Sequence, residues 1–249
     1  MSSSAAALAT THFSQIMPKA LSKAHAVRQW ADDAEILRPA DLLATLGVVT
    51  TFSRNAEIYG EDAQADHIYI MLSGTTRVCK LLGDGRRQIE NFCLSGDVFG
   101  LEMLPRHRFS AEAVSECKVV RIKRSILFAR AADDADLAHA LWSVTATELG
   151  RIQNHLLVLG RKTAQERVAT FLLDLAERLS SRAGRMVGRG EPVEVQLPMS
   201  RQDIADYLGL TIETVSRTLT HLEDVEVIAL PSSRRVLLRN RDVLQGLNS

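Results

Sequence analysis

Between Leu197 and Asp224, helix-end signals and apolar spacing agree on two short helices meeting at a tight corner, and few folds accommodate that pairing. Ser200 is placed to cap a first helix, with Asp203 in the position of a capping-box acid, and Ile204, Ala205 and Leu208 give it one apolar side. Gly209 ends it, because glycine takes the positive φ of a helix terminus without steric cost. Only Leu210 and Thr211 remain before a second helix, which Thr211 caps. There Val215, Leu219 and Leu222 recur at helical spacing, whereas Glu213, Ser216, Arg217 and Thr220 turn to the opposite side. One face packs, and the other is free to read.

An ordinary helical hairpin whose polar face meets only water would show the same periodicity. It would not need these side chains. Glutamate accepts from the cytosine amino group, serine contacts bases flexibly, and arginine grips O6 and N7 of guanine in a bidentate manner. Val225 to Leu230, a Pro231-Ser232-Ser233 turn and Arg235 to Arg239 then form a hairpin pattern bearing Arg234, Arg235 and Arg239, a basic wing beside the reading helix. The candidate DNA contacts are Arg201, Thr211, Glu213, Ser216, Arg217, Thr220, Arg234 and Arg235.

The formal charge of the 249 residues balances at zero, so any DNA affinity has to be local. From Thr163 to Ser249 there are 11 arginines, no lysine and 12 acids, which points to a few placed guanidiniums and main-chain donors in place of a broad positive field. Cys79, Cys93 and Cys117 stand far apart with no Cys-x-x-Cys, so neither a disulfide framework nor a metal cluster is expected. Each is read as a small buried residue, with a redox-reactive thiol as the alternative. No apolar run is long enough to span a bilayer, and the start lacks a signal-peptide layout, so a cytoplasmic protein with no membrane partner and no metal is expected.

The fold class read from the chain is α+β, in four parts. Residues 1–35 form an extension with no sustained period and no assigned function. Residues 36–130 break into short apolar segments between turn signals, Ile68 to Leu72, Thr75 to Leu82, Gln88 to Leu94 and Ala111 to Ile122, which implies an antiparallel β-roll or jelly roll of the sensor type. Residues 131–162 hold a long helix and a hinge at Gly160-Arg161-Lys162. Residues 163–249 open with a Thr163 to Glu166 capping box, cross a Gly-, Arg- and Ser-rich loop from Ser180 to Glu191, and end in the winged helix-turn-helix.

Along the long helix Leu137, Leu141, Val144, Glu148, Ile152, His155 and Leu159 make one narrow seam, the form that a two-helix partner interface takes. Homodimerisation through Leu137, Leu141, Val144, Ile152, His155 and Leu159 is expected. Glu148 and His155 interrupt the seam, either bending outward to solvent or setting register or a pH response.

These parts together resemble the cyclic-AMP receptor protein/FNR superfamily of bacterial transcription regulators, and within it the FixK branch. The likeness covers Ile36 to the C-terminus and is carried by Leu81 to Gln88, Ser95 to Gly100, Gln153 to Arg161 and, most specifically, Leu197 to Arg217. It implies an activator binding double-stranded DNA as a homodimer, with no enzymatic activity. Members reading TGTGA carry an arginine just before the recognition glutamate. Here Ile212 cannot donate to guanine, which implies an inverted repeat of TTGAT and ATCAA. By the same likeness, Gly83, Asp84, Gly85 and Arg86 correspond to a loop that contacts RNA polymerase; read alone they are a good hairpin turn, and both hold together.

Cyclic-nucleotide binders of the superfamily use Gly-Glu-Leu followed by Arg-Ser/Thr-Ala. Here Gly100-Leu101-Glu102 and Arg108-Phe109-Ser110-Ala111 break both motifs. No cysteine precedes Cys79 to hold an FNR-type cluster. No cofactor and no small-molecule effector are therefore expected. The rival readings are a ligand or haem sensor on the same scaffold, with His67 or His107 as iron ligand, and a metal-dependent jelly-roll enzyme, which would need a His-x-His spacing that the chain lacks.

Overall fold

A computed structural model describes residues 38–182 and 191–247. The expected N-terminal extension, and most of the Ser180 to Glu191 loop, lie outside the described residues. The chain opens with α1 (Pro39–Ala44) and continues as eight strands: β1 (Val48–Phe52), β2 (Glu57–Tyr59), β3 (His67–Ser73), β4 (Thr75–Leu81), β5 (Arg87–Leu94), β6 (Val98–Phe99), β7 (Ser110–Ala113) and β8 (Cys117–Lys123). They form two antiparallel sheets of order β1-β8-β3-β6 and β2-β7-β4-β5, a β-roll as expected. The segment read as one strand from Ala111 to Ile122 divides at Val114 to Glu116, where the chain passes from one sheet to the other. Gly74 makes the β3–β4 turn at φ 83°, and a Cβ there would lie 2.2 Å from the Glu116 carbonyl.

Ile68 to Met71 reads as a continuous apolar run because both faces of β3 are covered. Tyr69 and Met71 join Tyr59, Phe99 and Val119 between the sheets, while Ile68 and Ile70 pack under the helices with Leu43, Leu127 and Leu137. In β5 the register breaks: Val78 pairs with Asn91 and Cys79 with Ile89, leaving Glu90 as the extra residue of a β-bulge.

A short α2 (Arg124–Asp133) leads to α3 (Ala135–Arg161), whose first turn is capped by the Asp134 carboxylate accepting from Asp136 and Leu137 amides. Its 27 residues span about 40 Å. Lys162, in extended conformation, breaks it before α4 (Ala164–Arg182). The C-terminal part then holds β9 (Val193–Gln196), α5 (Arg201–Leu208), α6 (Ile212–Asp224), β10 (Ile228–Ser232), β11 (Arg235–Leu238) and α7 (Arg241–Gly246). Its three strands form a sheet of order β10-β11-β9.

The β-roll and the C-terminal part share one apolar cluster. Cys79, Ile89, Phe92 and Leu94 of the roll are buried together with Phe171, Leu172, Ile204, Val215 and Leu219. Burial of this kind holds the two parts together without fixing their angle, since it is non-directional.

Candidate nucleic-acid interface

Local signals build the helix-turn-helix as the residues specify. The Ser200 hydroxyl accepts from the Asp203 amide at 3.1 Å and the Asp203 carboxylate accepts from the Ser200 amide at 3.0 Å, completing the capping box of α5. Gly209 takes φ 62°, the left-handed value at which other residues would be strained. Thr211 caps α6 by accepting from the Thr214 amide at 3.2 Å.

Val215, Leu219 and Leu222 are fully buried, which leaves Glu213, Arg217 and Thr220 exposed and Ser216 half-buried on the other side. Arg217 has no ion-pair or hydrogen-bond partner among the described residues, so its guanidinium is free for an external acceptor. The Glu213 carboxyl lies below the usual carboxylate range, held there by its own backbone amide and the Thr211 hydroxyl, and is therefore an acceptor at neutral pH. Arg201 is half-buried at the start of α5.

The wing is less basic in effect than its composition suggests. Arg235 reaches across the sheet to both carboxylate oxygens of Glu194, and Arg234 donates to the Pro198 carbonyl at 3.0 Å. Both are exposed, yet each is already engaged, whereas Arg239, also exposed, has no side-chain partner among the described residues. The Gly83 to Arg86 turn stands clear of the roll, with Arg86 paired to Asp84 at 2.7 Å.

The placement of α3 corrects the expected seam. Leu137 is buried in the chain's own core beside Leu43 and Ile68, and Leu141 and Val144 pack against the same cluster. Glu148 accepts from Asn91 and Arg151. Ile152 lines a cavity in the β-roll, His155 stacks on Tyr207, and the Leu159 carbonyl accepts from Arg167 at 2.8 Å. The seam is the face that α3 turns to its own chain. The helix carries a second stripe, one or two positions round, where Trp142, Leu149 and Leu156 are 72, 55 and 64 % exposed. Their regular heptad spacing is the sequence signal that would have found them.

The β-roll cavity, of about 270 Å³, is lined by Tyr59, Phe99 and Phe109, by the carboxylates Glu90, Glu102 and Glu148, and by Arg108. Burial, reinforced by Glu148 and Glu102, pushes the Glu90 carboxyl up to about 7. His107 is fully buried, stacked on Tyr59 at 3.7 Å, and its Nδ1 is within 2.6 Å of Glu102, so it is held as part of the core. The cysteines are buried, and burial raises all three thiols above their ordinary value, which keeps them protonated.

Sequence reasoning missed the groups joining the roll to the reading head. Asp203, 5 % exposed, accepts from Arg77 at 3.0 Å and Arg87 at 2.6 Å, and Arg87 also donates to Asp206 at 2.8 Å. Reciprocally, Asp97 of the roll accepts from Arg151 of α3 and Arg178 of α4, both at 2.8 Å. Removing one partner of a buried pair of this kind typically costs about 3–5 kcal/mol, because a charge is left unpaired.

Comparison with known proteins accords with this geometry. A family profile described as a Crp-like helix-turn-helix domain matches residues 166–247, and one described as a cyclic nucleotide-binding domain matches residues 49–134. The nitrogen fixation regulation protein FixK of Azorhizobium caulinodans is 55% identical over 252 residues, covering 99% of this chain and 100% of the relative. The transcriptional activatory protein AadR of Rhodopseudomonas palustris is 40% identical, covering 72% of this chain and 73% of its own. Among solved structures, FixK2 from Bradyrhizobium japonicum is similar with a TM-score of 0.73 and 46% identity, covering 82% of this chain and 98% of that one.

Proposed function

The chain belongs to the CRP/FNR family of transcription regulators, on its FixK branch, and we propose that it binds an inverted repeat of TTGAT and ATCAA as a homodimer and activates transcription there without a small-molecule effector. Its helix-turn-helix is a DNA-binding domain, and its relatives are regulators, not enzymes. The observation that carries the half-site is the solvent face of α6. Glu213 and Arg217 are exposed with no close ion pair among the described residues, and the neighbouring Ile212, 37% exposed, has no donor for a second guanine.

The partner face is the exposed stripe Trp142, Leu149 and Leu156, because a helix that leaves large apolar side chains in water at heptad spacing gains by burying them against a copy of itself. Activation rests on the projecting Gly83 to Arg86 turn as the polymerase contact, and a relative named as an activator supports it. Independence from an effector is supported by the broken phosphate-binding motifs, Gly100-Leu101-Glu102 and Arg108-Phe109-Ser110-Ala111, and by the burial of His107, whose ring is stacked on Tyr59 and whose Nδ1 lies against Glu102.

Selection of bound sites from random DNA tests the reading. It should return paired TTGAT and ATCAA elements at one fixed separation. Recovery of TGTGA elements would overturn the half-site, and recovery of single, unpaired elements would overturn the dimer.

A further inference from the structure

The hinge between α3 and α4 is short and non-helical: Lys162 lies at φ −96° and ψ 146°, and Thr163 then caps α4. A junction of this kind leaves the reading head free to swing unless other contacts hold it. The apolar cluster shared with the roll resists separation, but apolar contact tolerates rotation. Directional bonds are what set an angle: Arg178 ties α4 to Asp97 and to the Phe92 carbonyl of the roll, Arg167 joins the hinge to the Leu208 carbonyl, and on α5 two arginines of the roll converge on Asp203.

Three features single out this carboxylate. It is buried and its guanidinium partners are mostly shielded, with side chains 14% (Arg77) and 25% (Arg87) exposed, so the pairing escapes most solvent screening. Arg77 is itself fixed, since it also donates to Glu112 on β7 through Nε at 2.8 Å and Nη2 at 2.6 Å. And Asp203 belongs to the first turn of α5, where it completes the capping box, so a force on the carboxylate acts on the helix axis and passes through the tight Gly209 corner to α6. With this clamp closed, Glu213, Arg217 and Thr220 are exposed; it holds the reading head without covering it.

We propose that Arg77 and Arg87 are positioning residues for DNA recognition: by gripping Asp203 they fix the angle at which each protomer presents its recognition helix, and so set the half-site separation that the dimer accepts. The inference rests on the reading of the protein as a dimer on an inverted repeat. Two recognition helices on one face of a duplex must match the DNA helical repeat, so angular freedom in each head translates into tolerance of spacing.

Competition binding tests it, with the selected palindrome, with duplexes whose half-sites stand one or two base pairs closer or farther, and with a single half-site. Wild type should prefer the selected spacing by about tenfold or more, on the scale of a lost base contact. Arg77→Met combined with Arg87→Met should compress that preference to about threefold or less, leaving half-site affinity and dimer sedimentation unchanged. Since that variant leaves Asp203 without its cations, Asp203→Asn is the second arm: its carboxamide oxygen still accepts from the Ser200 amide, while Arg77 keeps Glu112 and Arg87 keeps Asp206 as counter-ions. It should relax spacing in the same direction.

Unchanged spacing preference in Asp203→Asn would overturn the proposal. So would a loss of half-site affinity as large as the loss on the palindrome, which would assign the pair to the folding of α5. A wild type without spacing preference would instead show that the palindrome reading has failed, and the inference would fall with it.

Discussion

The imidazole of His155 on α3 stacks on the ring of Tyr207 on α5, with centroids 4.0 Å apart and planes 15° from parallel. Its Nε2 is buried without a hydrogen-bond partner among the described residues. Burial lowers the His155 pKa from the ordinary 6.5, aided by Arg167 and opposed by the Tyr207 backbone and Asp174. A base with a depressed folded pKa binds its proton more readily in the unfolded chain, so its contribution to stability is present above the ordinary value and lost as pH falls through the folded one. His155→Phe keeps an aromatic partner for Tyr207 and removes the titration. The variant should therefore gain on wild type as pH drops from 7 to 5 in thermal unfolding, and a pH-independent difference would refute the account.

Glu90 has the opposite sign. Its folded pKa, raised to about 7 by burial and then by Glu148 and Glu102, makes the native state hold a proton that the unfolded chain releases from about pH 4.5. Stability from this site is greatest in acid and declines as pH rises through 7. Glu90→Gln removes the decline, so its advantage over wild type should grow between pH 5 and 8 to as much as about 3 kcal/mol. Denaturant titrations at the two ends of that range read it directly.

Leu149→Glu with Leu156→Glu should convert the protein to monomers, since two helices would then bury like charges against each other. Leu137→Glu, by contrast, should unfold the β-roll, because that side chain lies in its core with Leu43 and Ile68. Sedimentation and circular dichroism separate the two outcomes, and a folded dimer from the first variant would place the interface elsewhere.

Ile212→Arg places a guanidinium beside Glu213 on the first turn of α6, where it can reach a guanine that isoleucine ignores. Binding should shift toward TGTGA relative to TTGAT by about 1–3 kcal/mol. One extra positive charge alone would raise affinity on both sites equally and fade faster with salt. Competition of the two duplexes at two salt concentrations distinguishes these effects, and an unchanged ratio would mean that Ile212 does not face bases.

How far the chain was legible followed the range of each signal. The capping box of Ser200 and Asp203, the Gly209 corner and the periodicity of α6 are settled within a few residues, so local stereochemistry was enough to read them. The segments bounded by strong turn signals were legible as β3, β4 and β5, whereas the short β1, β2 and β6 were not legible and the sheet-to-sheet crossing at Val114 to Glu116 reads as strand. On α3, spacing identified which side chains share a face, but two stripes satisfied it. Only the packing of Leu137 beneath the β-roll and the exposure of Trp142 distinguish the inward one from the outward one. The wing arginines read as free charge until the folded sheet brought Glu194 opposite Arg235. Asp203 looked complete as a cap; that it also meets Arg77, 126 residues away, and Arg87, 116 away, depends on how the β-roll docks against α5. Short-range hydrogen bonds and steric preferences act on neighbours in the chain and so are written there. Which charges and faces finally meet is a property of long-range packing, and no local pattern encodes it.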